Sequence, residues 1–369
     1  MAKVYFVDFR LEKKRSLLDK LNQVLTPLGL EERFRPGSLI GVKLHFGERG
    51  NLAYLRPQWV QRVVEILKSL RLRPFLTDTN TLYKGSRSDA VIHLETAFLN
   101  GFSFSVVGAP VIIADGLLGN SYERIELSLP LLKEFFVAKE IYRAEGLVVL
   151  SHFKGHELTG FGGALKNLGM GCAARQGKLQ QHSTLAPKIN KKMCIGCGTC
   201  RDNCPVEAPE PVPQAQKKRF RINPEKCIGC GECIALCPQG AIKVQWNEKA
   251  VSFMKKMAEY AYAVWSNKRE RAIFVNFIKD VSPACDCYGF NDYPVVGDIG
   301  ILASDDPVAL DQACVDLVNQ EPTLPRAKVQ AGAGVDKFKA LYPQVDWSVQ
   351  LSHAEKIGLG SRQYELVRL

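Results

Sequence analysis

Over the first 187 residues, short apolar runs alternate with longer amphipathic stretches. VYFVDF (4–9), LIGVKLHF (39–46), FLTDTN (75–80), VIIADG (111–116) and LVVLSHF (147–153) are rich in branched and aromatic residues and too short for helices, so they predict strands. Between them, RPQWVQRVVEILKSLRLRP predicts a helix that opens at Pro57 and ends by Pro74, with Val60, Val63, Val64, Leu67 and Leu70 on one apolar stripe. SDAVIHLETAFLNGF predicts a second helix, with Val91, Leu94 and Phe98 on its buried face. Strand-helix alternation of this kind implies an α/β fold, a mostly parallel sheet with helices on both faces.

The pattern breaks near residue 188. From 188 to 246 there are eight cysteines, several prolines and no long amphipathic stretch. It then resumes. Val251, Met254, Ala258, Ala261 and Trp265 trace a helix stripe, RAIFVNFIKDV and DIGILAS predict strands, and DDPVALDQACVDLVNQ predicts a helix capped by Asp306 with Pro307 in its first turn. The expected organisation is an α/β domain in two parts, 1–187 and 247–369, interrupted by a module at 188–246. The last forty residues carry no clear period and are expected at the periphery.

Composition changes this picture little. With 46% hydrophobic and 24% charged residues, the 369-residue chain has the make-up of a globular protein. It has no apolar run of bilayer-spanning length and an N-terminus that reads as a strand, so the expectation is a cytoplasmic protein without a membrane span. A dozen cysteines in that compartment argue for metal or redox chemistry over structural disulfides. The formal charge of +11 invites a nucleic-acid reading, but the basic residues are scattered. The one dense run, KKRFR (217–221), is short enough to be a solvated loop, and nucleic acid is not the expected partner.

The module contains a repeat. CIGCGTCRDNCP carries Cys194, Cys197, Cys200 and Cys204; CIGCGECIALCP carries Cys227, Cys230, Cys233 and Cys237, each offset by 33 residues from its counterpart. Paired C-x-x-C also suits zinc, but zinc explains neither four cysteines per run nor the trailing prolines and duplicated glycines. The run resembles that of bacterial two-cluster ferredoxins, in which three thiolates of one loop grip a cube and the fourth serves the other cluster. The expected sets are Cys194, Cys197, Cys200 and Cys237 for one [4Fe–4S] cluster, and Cys227, Cys230, Cys233 and Cys204 for the second. The resemblance implies electron transfer with a redox partner protein or a small-molecule donor or acceptor.

A second segment, SHFKGHELTGFGGALKNLGMGCAARQGK (151–178), follows the strand LVVL and so falls where open α/β sheets bind ligands. It gathers His152, Lys154, His156 and Lys166 among six glycines. It matches neither the P-loop nor the dinucleotide fingerprint. His152, Lys154 and Lys166 are the candidate catalytic residues, holding an anionic substrate or supplying protons, and Gly160, Gly162 and Gly163 are candidates for close approach to a bound cofactor. His45, in KLHFGE, ends another strand and could join them.

Four cysteines remain. Cys314 lies on a helix stripe and reads as core. Cys172, Cys285 and Cys287 follow predicted strands and could converge at the rim of the sheet as a third metal or cluster site, with His45 or His152 as a fourth ligand. Alternatively, Cys285 and Cys287 form a thiol–disulfide pair, or are structural. VKLHFGE, SHFKGHELTGFGGALKNLGMG, the cysteine module, PACDCYG and DIGILASDDPVALDQA, in this order, resemble the domain-of-unknown-function family 362, iron–sulfur cluster-binding proteins without an established reaction. The reading that results is an iron–sulfur redox protein whose clusters exchange electrons with a substrate at the rim of the α/β domain. A ferredoxin-like carrier docking a partner protein and a cofactor-assembly protein are the alternatives.

Overall fold

The computed structural model describes residues 1–10, 16–213 and 219–369; Lys217 and Lys218 of the basic run lie outside them. Eight strands form the central sheet: β1 (Ala2–Asp8), β2 (Leu39–Lys43), β3 (Arg73–Asp78), β4 (Val111–Ile113), β5 (Gly146–His152), β6 (Ala272–Ile278), β7 (Gly300–Ser304) and β8 (Tyr364–Arg368). Their order is β8-β1-β7-β6-β5-β2-β3-β4. All neighbours pair in parallel except across β7, which runs antiparallel to both β1 and β6. The fold is α/β with a mostly parallel sheet.

β5 shows why both faces must be covered. All seven of its residues are buried. Leu147 and Val149 enter one apolar core with the helices Ala250–Lys268 and Pro307–Gln320. Val148 and Leu150 enter a second core with the helices Leu17–Leu25 and Pro57–Ser69. The two-residue period of a strand sends alternate side chains to opposite faces, so a run without polar interruption needs a core on each side. β6 pairs with β5 from Ala272↔Leu147 to Phe277↔His152, so the sequence before and after the cysteine-rich segment builds one sheet.

Two expectations are corrected. The final residues are peripheral only in part: β8 is an edge strand paired with β1, but the helix Ser348–Lys356 buries Leu351 and Ala354 in the first core. The helix Ala90–Leu99 turns the other way from its apolar reading. Val91 and Phe98 are 65% and 52% exposed, while His93, Thr96 and Ala97 are buried. The inward face is polar because it meets charge: His93 approaches Asp78, and the Thr96 hydroxyl donates to the Ser86 carbonyl. Burial decides a helix face only where the facing surface is apolar.

The cysteine-rich segment forms two short ladders, Lys188–Ile189 with Ile242–Lys243 and Pro209–Pro211 with Phe220–Ile222. Its apolar core (Ile189, Phe220, Ile234, Ile242, Val244) takes in Leu82 and Leu179 from the α/β part.

Candidate functional site

Chain order places the site. From β2 the chain builds outward through β3 to β4; β5 then returns to the other side of β2 and leads to β6. The direction reverses between β2 and β5, and at such a point the loops leave the carboxyl ends on opposite sides and open a crevice. A cavity of about 570 Å³ lies there, within the usual size for a small-molecule site.

Each element delivers its side chains by ordinary periodicity. Lys154–His156 and Gly160–Gly162 form a hairpin directly after β5. Lys154 and His156, two apart, both face the cavity. Gly155 between them lies against the chain, and a Cβ there would stand 2.2 Å from the Pro283 carbonyl oxygen. Lys166, Asn167 and Met170 come from the helix Ala164–Gly169 and its end, and Lys178 and His182 from the helix Arg175–His182, one turn apart. His182 stacks on Phe253 with Trp246 edge-on, so one wall is aromatic.

The other wall is cationic. Lys43, Arg87, Lys154, Lys166 and Lys178 line the cavity against the carboxylates Asp78 and Glu157. Most of these charges are already paired. Lys43 contacts Asp78 at 2.9 Å, Arg87 contacts Glu48 at 3.2 Å, and Lys154 contacts Asp286 at 3.1 Å. Burial raises the carboxyl of Asp78, but Lys43 and its other cationic neighbours outweigh it and hold Asp78 well below the usual range. Among the described residues, neither Lys166 nor Lys178 has a carboxylate within ion-pair distance; Lys166 donates to Cys285 Sγ at 3.5 Å, and Lys178 to Thr79 Oγ1 and the Ala173 carbonyl. Burial, then Lys154 nearby, brings Lys166 down to about 8, and burial does the same to Lys178. Burial also keeps the imidazoles of His45, His156 and His182 neutral at pH 7. The Gly47 amide donates to His45 Nδ1, so the ring hydrogen is on Nε2, which is buried without a partner among the described residues.

Lys154, Lys166 and His152 thus border one cavity, with His45, Gly162 and Gly163. Several sequence expectations change. His152 meets acceptors at both nitrogens, the Asp286 carboxylate at 3.0 Å from Nδ1 and the Lys279 carbonyl at 2.9 Å from Nε2. Both ring nitrogens are thus engaged within the protein, and the side chain secures the Asp286 loop. Gly160 does not line the cavity. Its φ of +76° and the Trp347 side chain, 2.5 Å from a Cβ placed there, account for it by packing. The start of the helix Ala164–Gly169 is not free for an anion, because Asp311 accepts from Ala164 N and Leu165 N at 2.7 and 2.9 Å. We expect Asp311→Ala to cost about 2–4 kcal/mol in chemical denaturation, since it removes this cap and strands two buried amides and the Asn276 amide that also donates to it.

The third metal site is also corrected. Cys285 and Cys287 are joined in a disulfide at the cavity wall. Cys172 is fully buried, does not line the cavity, and directs its thiol to the Asn167 carbonyl. Among the described residues no three His, Cys, Asp or Glu side chains are arranged to hold one metal ion. Cys314 is core, as expected.

The eight repeat cysteines fall into two groups. Cys194, Cys197, Cys200 and Cys237 line one small cavity; Cys204, Cys227, Cys230 and Cys233 line another. Each set joins three thiols of one repeat to the fourth of the other, the crossing that a pair of four-iron clusters takes and that two zinc sites have no need of. Backbone amides of Ala208 and Ala241 donate to Cys204 and Cys237 sulfurs at 3.4 and 3.2 Å. The donor sets therefore suit four-iron clusters.

A family model described as a domain of unknown function, DUF362, matches residues 40–316. The chain belongs to the DUF362 family. No curated protein matches this DUF362 chain. Among solved structures it is similar to the lactate racemase apoprotein from Thermoanaerobacterium thermosaccharolyticum, at 14% identity over 76% of this chain and 51% of that one, with a TM-score of 0.36. It is also similar to a structural-genomics protein from Thermotoga maritima, at 11% identity over 83% and 60%, with a TM-score of 0.43. The chain spans about half to three-fifths of the length of these two proteins. Among the described residues no helix is long and apolar enough to cross a membrane.

Sequence reasoning missed Lys43, Asp78, Arg87, Lys178, His182 and Asp286 at this site. Lys43, Asp78, Lys178 and Asp286 lay within quoted segments, in KLHFGE, FLTDTN, the glycine-rich segment and PACDCYG, but nothing local marked them out. All six depend on which loops meet.

Proposed function

We infer that this DUF362 protein is an iron–sulfur redox protein in which two [4Fe–4S] clusters exchange electrons with an anionic ligand bound in the cavity. The observation that carries this reading is the contact between module and cavity. Leu82 both lines the cavity and packs in the core of the cysteine-rich segment, and the helix Arg175–His182 touches that segment through Leu179 and the cavity through Lys178 and His182. Bound clusters would supply single electrons at low potential. The residues of the chain do the rest. Lys166 and Lys178 attract the anion, the His45 Nε2–H donates a hydrogen bond to it, and the aromatic wall excludes water from its apolar part. A cavity of substrate size beside Lys154 favours this over a carrier with a filled rim.

Protein prepared without oxygen should contain about eight irons and as many acid-labile sulfides per chain. Titration with sulfate should perturb the electron paramagnetic resonance of the reduced clusters. Stoichiometric zinc with no labile sulfide would overturn the reading.

The anion site has a pH signature. Because the ammonium of Lys166 loses its proton near pH 8, sulfate affinity should fall at least about tenfold between about pH 7 and 9. Lys178, brought to about 8 by burial, adds to the slope, while of the groups facing it Arg87 is held charged and Asp286 is held well below the usual carboxylate range. Lys166→Met should flatten the profile in isothermal titration calorimetry; an unchanged profile would remove Lys166 from the site.

A further inference from the structure

We propose that Cys285 and Cys287 are a catalytic dithiol–disulfide pair that reduces a small anionic disulfide bound in the cavity. The inference rests on the reading above for the anion site and for one source of electrons. Both cysteines line the cavity, so a ligand there can reach them. They are not equivalent. Cys285 Sγ accepts from Lys166 Nζ at 3.5 Å and from the backbone amide of Cys287 at 3.4 Å, whereas Cys287 is the more exposed of the two. An ammonium and an amide aimed at one sulfur stabilise its thiolate, which makes Cys285 the nucleophile and Cys287 the resolving thiol.

The loop is held for this task. Asp286, between the two, is fully buried and fixed by His152 and Lys154, while the Tyr83 hydroxyl donates to the Cys287 carbonyl and the Tyr342 hydroxyl to the Pro283 carbonyl. Neither the disulfide nor the dithiol form therefore depends on a mobile backbone. The other two cysteines outside the repeats, Cys172 and Cys314, are fully buried and do not face the cavity.

The chemistry balances. Two electrons and one proton convert the disulfide into the Cys285 thiolate and the Cys287 thiol; a dithiol, or two one-electron clusters in turn, can supply the electrons. The thiolate attacks one sulfur of the substrate R–S–S–R, forming a mixed disulfide and releasing RS⁻. Cys287 then attacks Cys285 Sγ, re-forms the pair and releases the second RS⁻, which takes the proton that Cys287 gives up. Lys166 and Lys178, without carboxylate partners among the described residues, select an R group bearing negative charge.

The test begins with anaerobic protein in dithiothreitol, followed by alkylation and peptide mass spectrometry. The pair should open while circular dichroism stays native, and Cys285 should alkylate about tenfold faster than Cys287. Lys166→Met should slow alkylation of Cys285 about tenfold, the effect of moving its pKa by one unit. The reduced protein should then turn over dithiodiglycolate at least about tenfold faster than the dicationic cystamine, and Cys287→Ser should stall as a mixed disulfide on Cys285. A pair that opens only on unfolding, or equal rates with the two disulfides, would overturn the proposal. A Cys204→Ala, Cys237→Ala protein that still cycles with dithiothreitol would sustain it while removing the clusters as a necessary electron source.

Discussion

Replacing Cys237 with alanine should remove the cluster held by Cys194, Cys197 and Cys200 and spare the one nearest to it in sequence. Cys204→Ala should do the reverse, removing the cluster of Cys227, Cys230 and Cys233. Each variant should retain about four of eight irons, and the double variant almost none. The expectation comes from the crossing of the two runs, since each four-thiol cavity takes three sulfurs from one repeat and the fourth from the other. Iron and sulfide analysis with Mössbauer spectroscopy reads the result. Loss of the cluster adjacent in sequence would refute the crossed sets. Because the core of the module is only a handful of apolar residues around these cavities, we further expect the double variant to lose protection from proteolysis between 188 and 246 while the eight-stranded sheet survives.

Asp286→Asn should be the most destabilising single polar substitution at the cavity. The amide keeps the shape of the side chain and removes its charge, leaving the buried Lys154 ammonium and the His152 ring without their shared counter-charge. Breaking a buried pair in this way costs about 3–5 kcal/mol. Burial by itself would raise the carboxyl of Asp286, but His152 and Lys154 outweigh it and hold it well below the usual carboxylate range. A depressed folded-state pKa stabilises above the unfolded value, about 3.9, and that contribution is lost as pH falls through the folded value. The gap between wild type and Asp286→Asn should therefore be full at neutral pH and close only in acid well below about pH 4. Guanidinium denaturation at pH 7 and at low pH measures it; a gap independent of pH would mean that the carboxylate charge is not what holds the loop.

Much of the fold was legible because its strands are buried on both faces. A segment such as LVVL has no polar interruption, and only a covered parallel sheet satisfies it. The helix Pro57–Ser69 was legible from the apolar stripe of Val60, Val63, Val64 and Leu67, and the helix after Asp306 from its cap, whose carboxylate accepts from Val308 N and Ala309 N. The helix Ala90–Leu99 was misread because its inward face packs on buried charge, and hydrophobic period is blind to a polar interior. β8 was missed because its half-exposed edge position needs few apolar residues.

The cysteine repeat was legible because its eight cysteines recur at fixed spacings within 44 residues, from Cys194 to Cys237. The cavity was not. Lys43, Asp78, His152, Lys166 and Asp286 come from five separate segments, and each ion pair forms only because the sheet order sets β2 beside β5 and β3 and the loop after β6 folds back over them. The sequence by itself determined which residues carry thiol and cationic chemistry, because residue type and spacing are local properties. Only the tertiary structure decided that Cys285 pairs with Cys287, that Asp311 already occupies the helix start and that Lys166 is left without a carboxylate among the described residues. The physical reason is that partners of buried charges are chosen by proximity across the sheet, and proximity between segments a hundred residues apart is a property of topology.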